Sequence, residues 1–264
     1  MQDFLDRTFP LLEKEGVEAL STALIAFAGL GGVGGGAFLN LVRCGVKRFR
    51  LSENGVFDPP DMNRQVAAFA STMGQPKIEV YERLAREINP EVQLELFPEG
   101  TTVGNLEQFL DGCDVYVGVI DVEKGADVKA MTPELLMRFN IPLFTAGAFG
   151  FGALLVAHHP DGMMPDEFWG LLKKKSNMGG FFPSFVSDKF EPTTMKRLEN
   201  AARTGKLATT SIGGSVSGAL LASEVLAYLL RDTDLVNRDI IFAPKFVTVC
   251  LLRMAMEVVD ITEK

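Results

Sequence analysis

Apolar positions along the first 150 or so residues alternate between two rhythms. Short unbroken apolar runs such as ALIAFAG (23–29) and DVYVGVID (114–121) suit strands buried on both faces. KRFRLSE (47–53) and VQLELF (92–97) read as further strands, and IPLFTAGAFGFGALLVAHHP (141–160) as two strands with glycine-rich joins. Between them lie segments with a single apolar stripe, the mark of amphipathic helices. These are GGVGGGAFLNLVRCG (31–45), KIEVYERLAREINP (77–90), NLEQFLDGC (105–113) and PELLMRFN (133–140). The second of them stops at Asn89-Pro90. A helix between successive strands makes those strands parallel. The pattern up to about residue 145 therefore predicts an α/β fold: a doubly wound, mainly parallel, Rossmann-like sheet.

The flanks read differently. Residues 1–22 form a short helical arm. Residues 161–206 turn polar and carry KKKSNMGGFFPS (173–184), which predicts a long crossover loop or flap within one domain spanning 1–264. Met163, Met164, Phe168, Trp169, Phe181 and Phe182 either offer a substrate face or pack this flap on the body. SVSGALLASEVLAYLLRD (215–232) is a strong helix with small residues along one side. KFVTVCLLRMAMEVVDI (245–261) reads as an added C-terminal antiparallel portion.

Composition narrows the chemistry. With 264 residues, 47% hydrophobic and 23% charged, the chain has an ordinary globular make-up and enough length for a large core. A net charge of −8 argues against a nucleic-acid partner, which needs a basic face. The N-terminus has no apolar signal core, and residues 207–230, the most membrane-like stretch, are interrupted by Thr, Ser and Glu224. The expectation is a cytoplasmic protein with no membrane partner. Cys44, Cys113 and Cys250 are scattered with no C-x-x-C pair, so no zinc is expected. His158 and His159 are neighbours on a strand pattern, point to opposite faces, and do not suit joint metal chelation.

The candidate chemistry begins at Gly29-Leu30-Gly31-Gly32-Val33-Gly34, a G-x-G-x-x-G run after a strand and before a helix. Glycine lets backbone approach a pyrophosphate, and the helix start offers free N–H groups to it. Glu53, ending the second strand, can hold a ribose hydroxyl of either NAD or ATP, so the loop alone leaves both open. Four later segments discriminate: FDPPDMNRQ (57–65), MGQPK (73–77), INP (88–90) and GVID (118–121). Together these resemble the ThiF/MoeB superfamily, the adenylating enzymes that activate ubiquitin-like proteins and sulfur carriers. That family pattern is a glycine loop, Asp-x-Asp at the second strand's end, Asn-Leu-x-Arg-Gln, Gly-x-x-Lys, Asn-Pro and a strand-ending Asp.

The resemblance implies an ATP-dependent adenylyltransferase that activates a protein or peptide carboxylate and releases pyrophosphate. It implies ATP cradled by Gly29, Gly31, Gly32 and Gly34, with Glu53 at the ribose and Asp61, Asn63 and Gln65 beside the nucleotide. Arg64 and Lys77 match the phosphate-binding cations, and Asp121 matches the aspartate that binds Mg2+. Arg7 resembles an arginine supplied in trans by a partner subunit, which implies a homodimer. The sequence departs from the pattern twice. Asp-x-Asp reads Glu53-Asn54-Gly55, and Asp61 stands where the family has asparagine. A catalytically degenerate nucleotide-binding relative and, on the glycine loop alone, an NAD-dependent oxidoreductase remain the alternatives.

Overall fold

A computed structural model of the chain describes residues 3–120, 125–175, 183–205 and 207–263. The apolar runs pair as five parallel strands: β1 (Leu24–Ala28), β2 (Arg48–Ser52), β3 (Gln93–Phe97), β4 (Val115–Gly118) and β5 (Leu143–Phe149). Three antiparallel strands extend them: β6 (Gly152–His158), β7 (Lys245–Cys250) and β8 (Ala255–Asp260). The order in the eight-stranded sheet is β3-β2-β1-β4-β5-β6-β7-β8. The chain winds from β1 outward to β3 and then returns to place β4 on the other side of β1. The crevice beyond the carboxyl ends of β1 and β4 is therefore the topological switch point, where doubly wound folds bind ligands.

Nine α-helices occur among the described residues: α1 (Phe9–Thr22), α2 (Gly34–Arg43), α3 (Lys77–Ile88), α4 (Leu106–Leu110), α5 (Ala126–Phe139), α6 (Pro165–Lys175), α7 (Ser184–Ser187), α8 (Pro192–Ala202) and α9 (Ser211–Leu229). Strand alternation sorts the core. Ile25 and Phe27 of β1 face a cluster with Phe38 of α2, Tyr81 of α3 and Leu221 of α9. Ala26 and Ala28 face Phe109 of α4 and Leu136 of α5 on the other side. Phe38 meets Phe27, Phe49 and Tyr81 edge to face, with Phe49 at 4.9 Å between centroids. Full burial of each such ring contributes about 2–3 kcal/mol, and the arrangement fixes α2 and α3 over β1 and β2.

Two elements differ from the sequence expectation. The described part of 161–206 is largely helical, not a loop: Phe168, Leu172, Val186 and Met195 of α6–α8, with Phe190 between α7 and α8, pack with Leu154, Val156 and Phe246 of β6 and β7. The antiparallel strands present an apolar face that these helices cover, so burial outweighs the segment's polar composition. Met164 and Phe168 are buried and Trp169 is exposed, so packing accounts for the first two. Phe181 and Phe182 lie outside the described residues. α5 begins at Ala126, before the expected start at Pro133, and carries that proline in its interior. Its stripe of Val128, Thr132, Leu135 and Leu136 is buried, which outweighs the hydrogen bond that proline cannot donate.

α9 is long and apolar enough to cross a membrane by length and composition alone. In the fold it packs on α2, β5 and β6; its buried Gly218 lies against the start of α2, and its buried Gly213 and Gly214 lie against Gly150 and Arg64. Contact within the chain thus accounts for its small-residue side. His158 is fully buried on β6, with Nδ1 at 2.9 Å from the Met163 carbonyl and its ring against Phe168.

Candidate functional site

The three glycines of the G-x-G-x-x-G run have three different jobs. Gly29 has φ +98°, and a Cβ there would sit 2.8 Å from the Val119 carbonyl oxygen after β4. A Cβ on Gly34 would overlap the Gly29 carbonyl, so this glycine lets α2 start hard against the turn. At Gly31 the nearest neighbour to a built Cβ is Gln65 Nε2, at 4.0 Å. Nothing among the described residues requires glycine at 31, and the space beside it is open to a ligand. The start of α2 carries no side-chain cap; the Gly35 N–H donates to the Gly31 carbonyl at 3.0 Å, and the other first-turn N–H groups are those an anion would take.

Glu53 braces this loop from below. Its Oε2 accepts the Leu30 N–H at 2.8 Å and its Oε1 accepts the Gly55 N–H at 2.7 Å. Each oxygen keeps a lone pair for a hydroxyl. The carboxylate expected at a ribose is therefore also the clasp between the glycine loop and the end of β2.

Above the loop, Asp61 gathers the cations. It is 7% exposed, and its Oδ2 lies 3.0 Å from Lys77 Nζ and 3.2 Å from the Asp58 N–H that it accepts. Its Oδ1 accepts from Gln65 Nε2 and sits 3.5 Å from Arg64 Nη2. Lys77 opens α3, is mostly covered, and stands 5.6 Å over the Phe57 ring. A lysine is a poor choice for a helix start unless an anion compensates, and Asp61 is that anion. Arg64 donates Nη1 to the carbonyl of Pro60 and to Asn63 Oδ1, both at 3.0 Å. Asn63 Nδ2 reaches the Thr209 carbonyl at 3.3 Å, tying this segment to the approach of α9.

Gln65 is 5% exposed and spends its Nε2 on Asp61, which leaves a buried Oε1 without a partner among the described residues. A buried orphan acceptor costs about 1–3 kcal/mol; the Nε2 of the same amide lies 4.0 Å from a Cβ built on Gly31. The geometry thus brings together Gly29, Gly31, Gly32, Gly34, Glu53, Asp61, Asn63, Arg64, Gln65 and Lys77. It does not bring Arg7 to them. Leu5 packs on Gly45, just past the C-terminal end of α2, and the exposed Arg7 follows it at that far end. Asp121 lies outside the described residues. Among the described residues no group of three or more His, Cys, Asp and Glu side chains is placed to hold a metal ion.

Two parts of the site escaped sequence reasoning. A Cβ on Gly214, in the first turn of α9, would lie 3.0 Å from the Arg64 carbonyl, so α9 seats the arginine segment. The Gly213-Gly214 pair was the available signal. Tyr81 supports α2 from α3: its hydroxyl occupies the space where a Gly35 side chain would be. Burial raises that phenol's pKa well above the ordinary value.

The chain matches the ThiF family over residues 5–264. It is 35% identical over 134 residues to the tRNA threonylcarbamoyladenosine dehydratase of Bacillus subtilis, covering 50% of this chain and 52% of that one. It is 27% identical over 146 residues to the sulfur carrier protein ThiS adenylyltransferase of Escherichia coli, covering 55% and 57%. The alignments thus span about half the length of these curated relatives. The crystal structure of E. coli MccB with MccA-N7isoASN superimposes with a TM-score of 0.72 at 16% identity, over 100% of this chain and 73% of that one.

Proposed function

This chain belongs to the ThiF family, and we propose that it is an ATP-dependent adenylyltransferase acting on the carboxylate of a protein or peptide. The observation that carries the reading is the convergence of Arg64 and Lys77 on Asp61 beside a glycine loop whose backbone at Gly31 is open, with Arg64 packed on Gly32. In the reaction a carboxylate oxygen attacks the α-phosphorus of ATP. The bond to the bridging oxygen of pyrophosphate breaks, and its electron pair leaves with pyrophosphate. Both reactants are anionic, so the chain must supply positive charge and N–H donors where negative charge accumulates. The uncapped start of α2 and the backbone around Gly31 cradle phosphate oxygens. Lys77 supplies a point charge and Arg64 a forked donor. Glu53 holds the loop in place and offers its remaining lone pairs to the ribose.

Bound magnesium would neutralise part of the triphosphate charge; Asp121 is its proposed ligand. The net charge of −8 weighs against carrying over the tRNA substrate of the Bacillus subtilis relative, and a protein or peptide carboxylate is favoured. The active assembly is a homodimer in which Arg7 of one protomer reaches the phosphates of the other.

A second reading has one observation behind it. Both cations already have an internal carboxylate partner, as they would in a nucleotide-binding relative that has lost catalysis. Carboxylate-dependent exchange of labelled pyrophosphate into ATP separates the two. Exchange with any C-terminal peptide or carrier protein supports adenylation. ATP binding with no exchange across a broad carboxylate panel favours the degenerate reading. Binding of NAD in preference to ATP overturns both.

A further inference from the structure

Among the described residues, the charges at the site cancel. Glu53 and Asp61 are set against Arg64 and Lys77, whereas a site for a polyphosphate gains from a surplus of positive charge. Asp61 is also an odd residue to find there. It is buried, it lies between the two cations, and it takes a hydrogen-bond donor from each of Lys77, Arg64, Gln65 and the Asp58 backbone.

The neighbouring Gly55 shows where else such a carboxylate could stand. A Cβ built on Gly55 lies 3.6 Å from Lys77 Cδ and 3.7 Å from its Cε; it also lies 2.9 Å from Glu53 Oε1, which accepts the Gly55 N–H, so that carboxylate shifts slightly to admit it. Gly55 is not among the glycines with positive φ, so an ordinary side chain suits its backbone. An acid at 55 would lie along the stem of Lys77, whose ammonium Asp61 holds at 3.0 Å.

We propose that Asp61 is a specificity-determining residue: an internal anion that competes with polyphosphate for Lys77 and Arg64, and takes the counter-ion place that a carboxylate at position 55 would fill. The inference rests on the adenylation reading for its physiological ligand but not for its test. With Asp61 present, a phosphate chain must share or displace an existing ion pair, so affinity is held down and pyrophosphate leaves more readily. Removing that negative charge leaves a net positive cluster whose attraction grows with the number of phosphates.

The experiment is calorimetric titration of the full chain with AMP, ADP, ATP and inorganic pyrophosphate. It compares wild type, Asp61→Asn and the exchange variant Asp61→Asn/Gly55→Asp, with thermal melts to establish that each is folded. Asp61→Asn should bind ATP and pyrophosphate about tenfold or more tightly than wild type, with a smaller gain for AMP. Gly55→Asp in that background should return affinity to within about threefold of wild type. Should Asp61→Asn fail to fold, Asp61→Ser tests the same gain. Unchanged or weaker binding by a folded variant overturns the proposal, as does a gain that Gly55→Asp leaves in place. Absence of binding by every chain overturns it together with the adenylation reading. The gain and its reversal without carboxylate-dependent pyrophosphate exchange would sustain Asp61's role and count against adenylation alone.

Discussion

At the scale of single residues, the candidate site separates groups that the fold requires from groups that it does not. Gly31→Ala should leave melting nearly unchanged and weaken ATP binding, because its Cβ meets open space on the chain's side. Gly34→Ala should cost about 3 kcal/mol or more through overlap with backbone. Denaturant unfolding and ATP titration of the two variants check this, and equal loss of stability in both would contradict the division. Lys77 belongs partly to each group. The structure places it in a covered ion pair with Asp61. Lys77→Ala should therefore destabilise by about 2 kcal/mol or more, because it leaves a buried carboxylate short of a partner. Asp61→Asn/Lys77→Ala should be less destabilised than the sum of its parts, a coupling that a double-mutant cycle by urea denaturation measures. That the glycine loop, Arg64 and Lys77 lie near one another was legible because motif spacing carries them. The Asp61 pairing was not, since it depends on a fold-back between 61 and 77 that no periodicity records.

At the scale of elements, the parallel half of the sheet was readable and the helices over the antiparallel half were not. β1, β2 and β3 announce themselves as apolar runs with intervening helices. α6–α8 become helical against strands remote in sequence, and a polar segment gives little sign of the apolar surface it must cover. His158 marks this junction: it lies on β6 and its ring contacts Phe168 of α6. Burial lowers its pKa from 6.5 to about 4. The folded state takes up this proton only below about pH 4, and the unfolded chain does so below about 6.5. Between those values the unfolded chain binds more protons, so stability is present above the window and is lost as pH falls through it. The loss amounts to about 3 kcal/mol at the acid end. His158→Gln keeps a donor for the Met163 carbonyl and removes the titration. Its melting temperature should change less between about pH 7 and pH 4.5 than that of wild type; an equal drop in both would place the acid sensitivity elsewhere.

At the scale of the whole molecule, the sheet order places the candidate site. Strand reversal beside β1 opens one crevice, and the loops after β1 and β2 and the starts of α2, α3 and α9 meet there. The groove lined by Phe4, Leu39, Arg43, Leu84 and Ile88 lies toward the other end of α2 and has no part in this chemistry. Arg7 belongs to that same far end, so any role at phosphate requires a second chain. Light scattering should give a dimer, and mixing Arg7→Ala with Arg64→Ala chains should restore pyrophosphate exchange that neither supports alone. A monomer with full exchange activity would remove Arg7 from the site. Adenylation is defined by the bond that is made, and isotope transfer reads that bond directly. A carboxylate substrate labelled with heavy oxygen is incubated with ATP, the wild-type chain and an amine or thiol acceptor, and the nucleotide product is examined by mass spectrometry. Adenylation predicts AMP that carries one labelled oxygen from the carboxylate, together with unlabelled pyrophosphate. Unlabelled AMP, or ADP and phosphate in place of AMP and pyrophosphate, would contradict it.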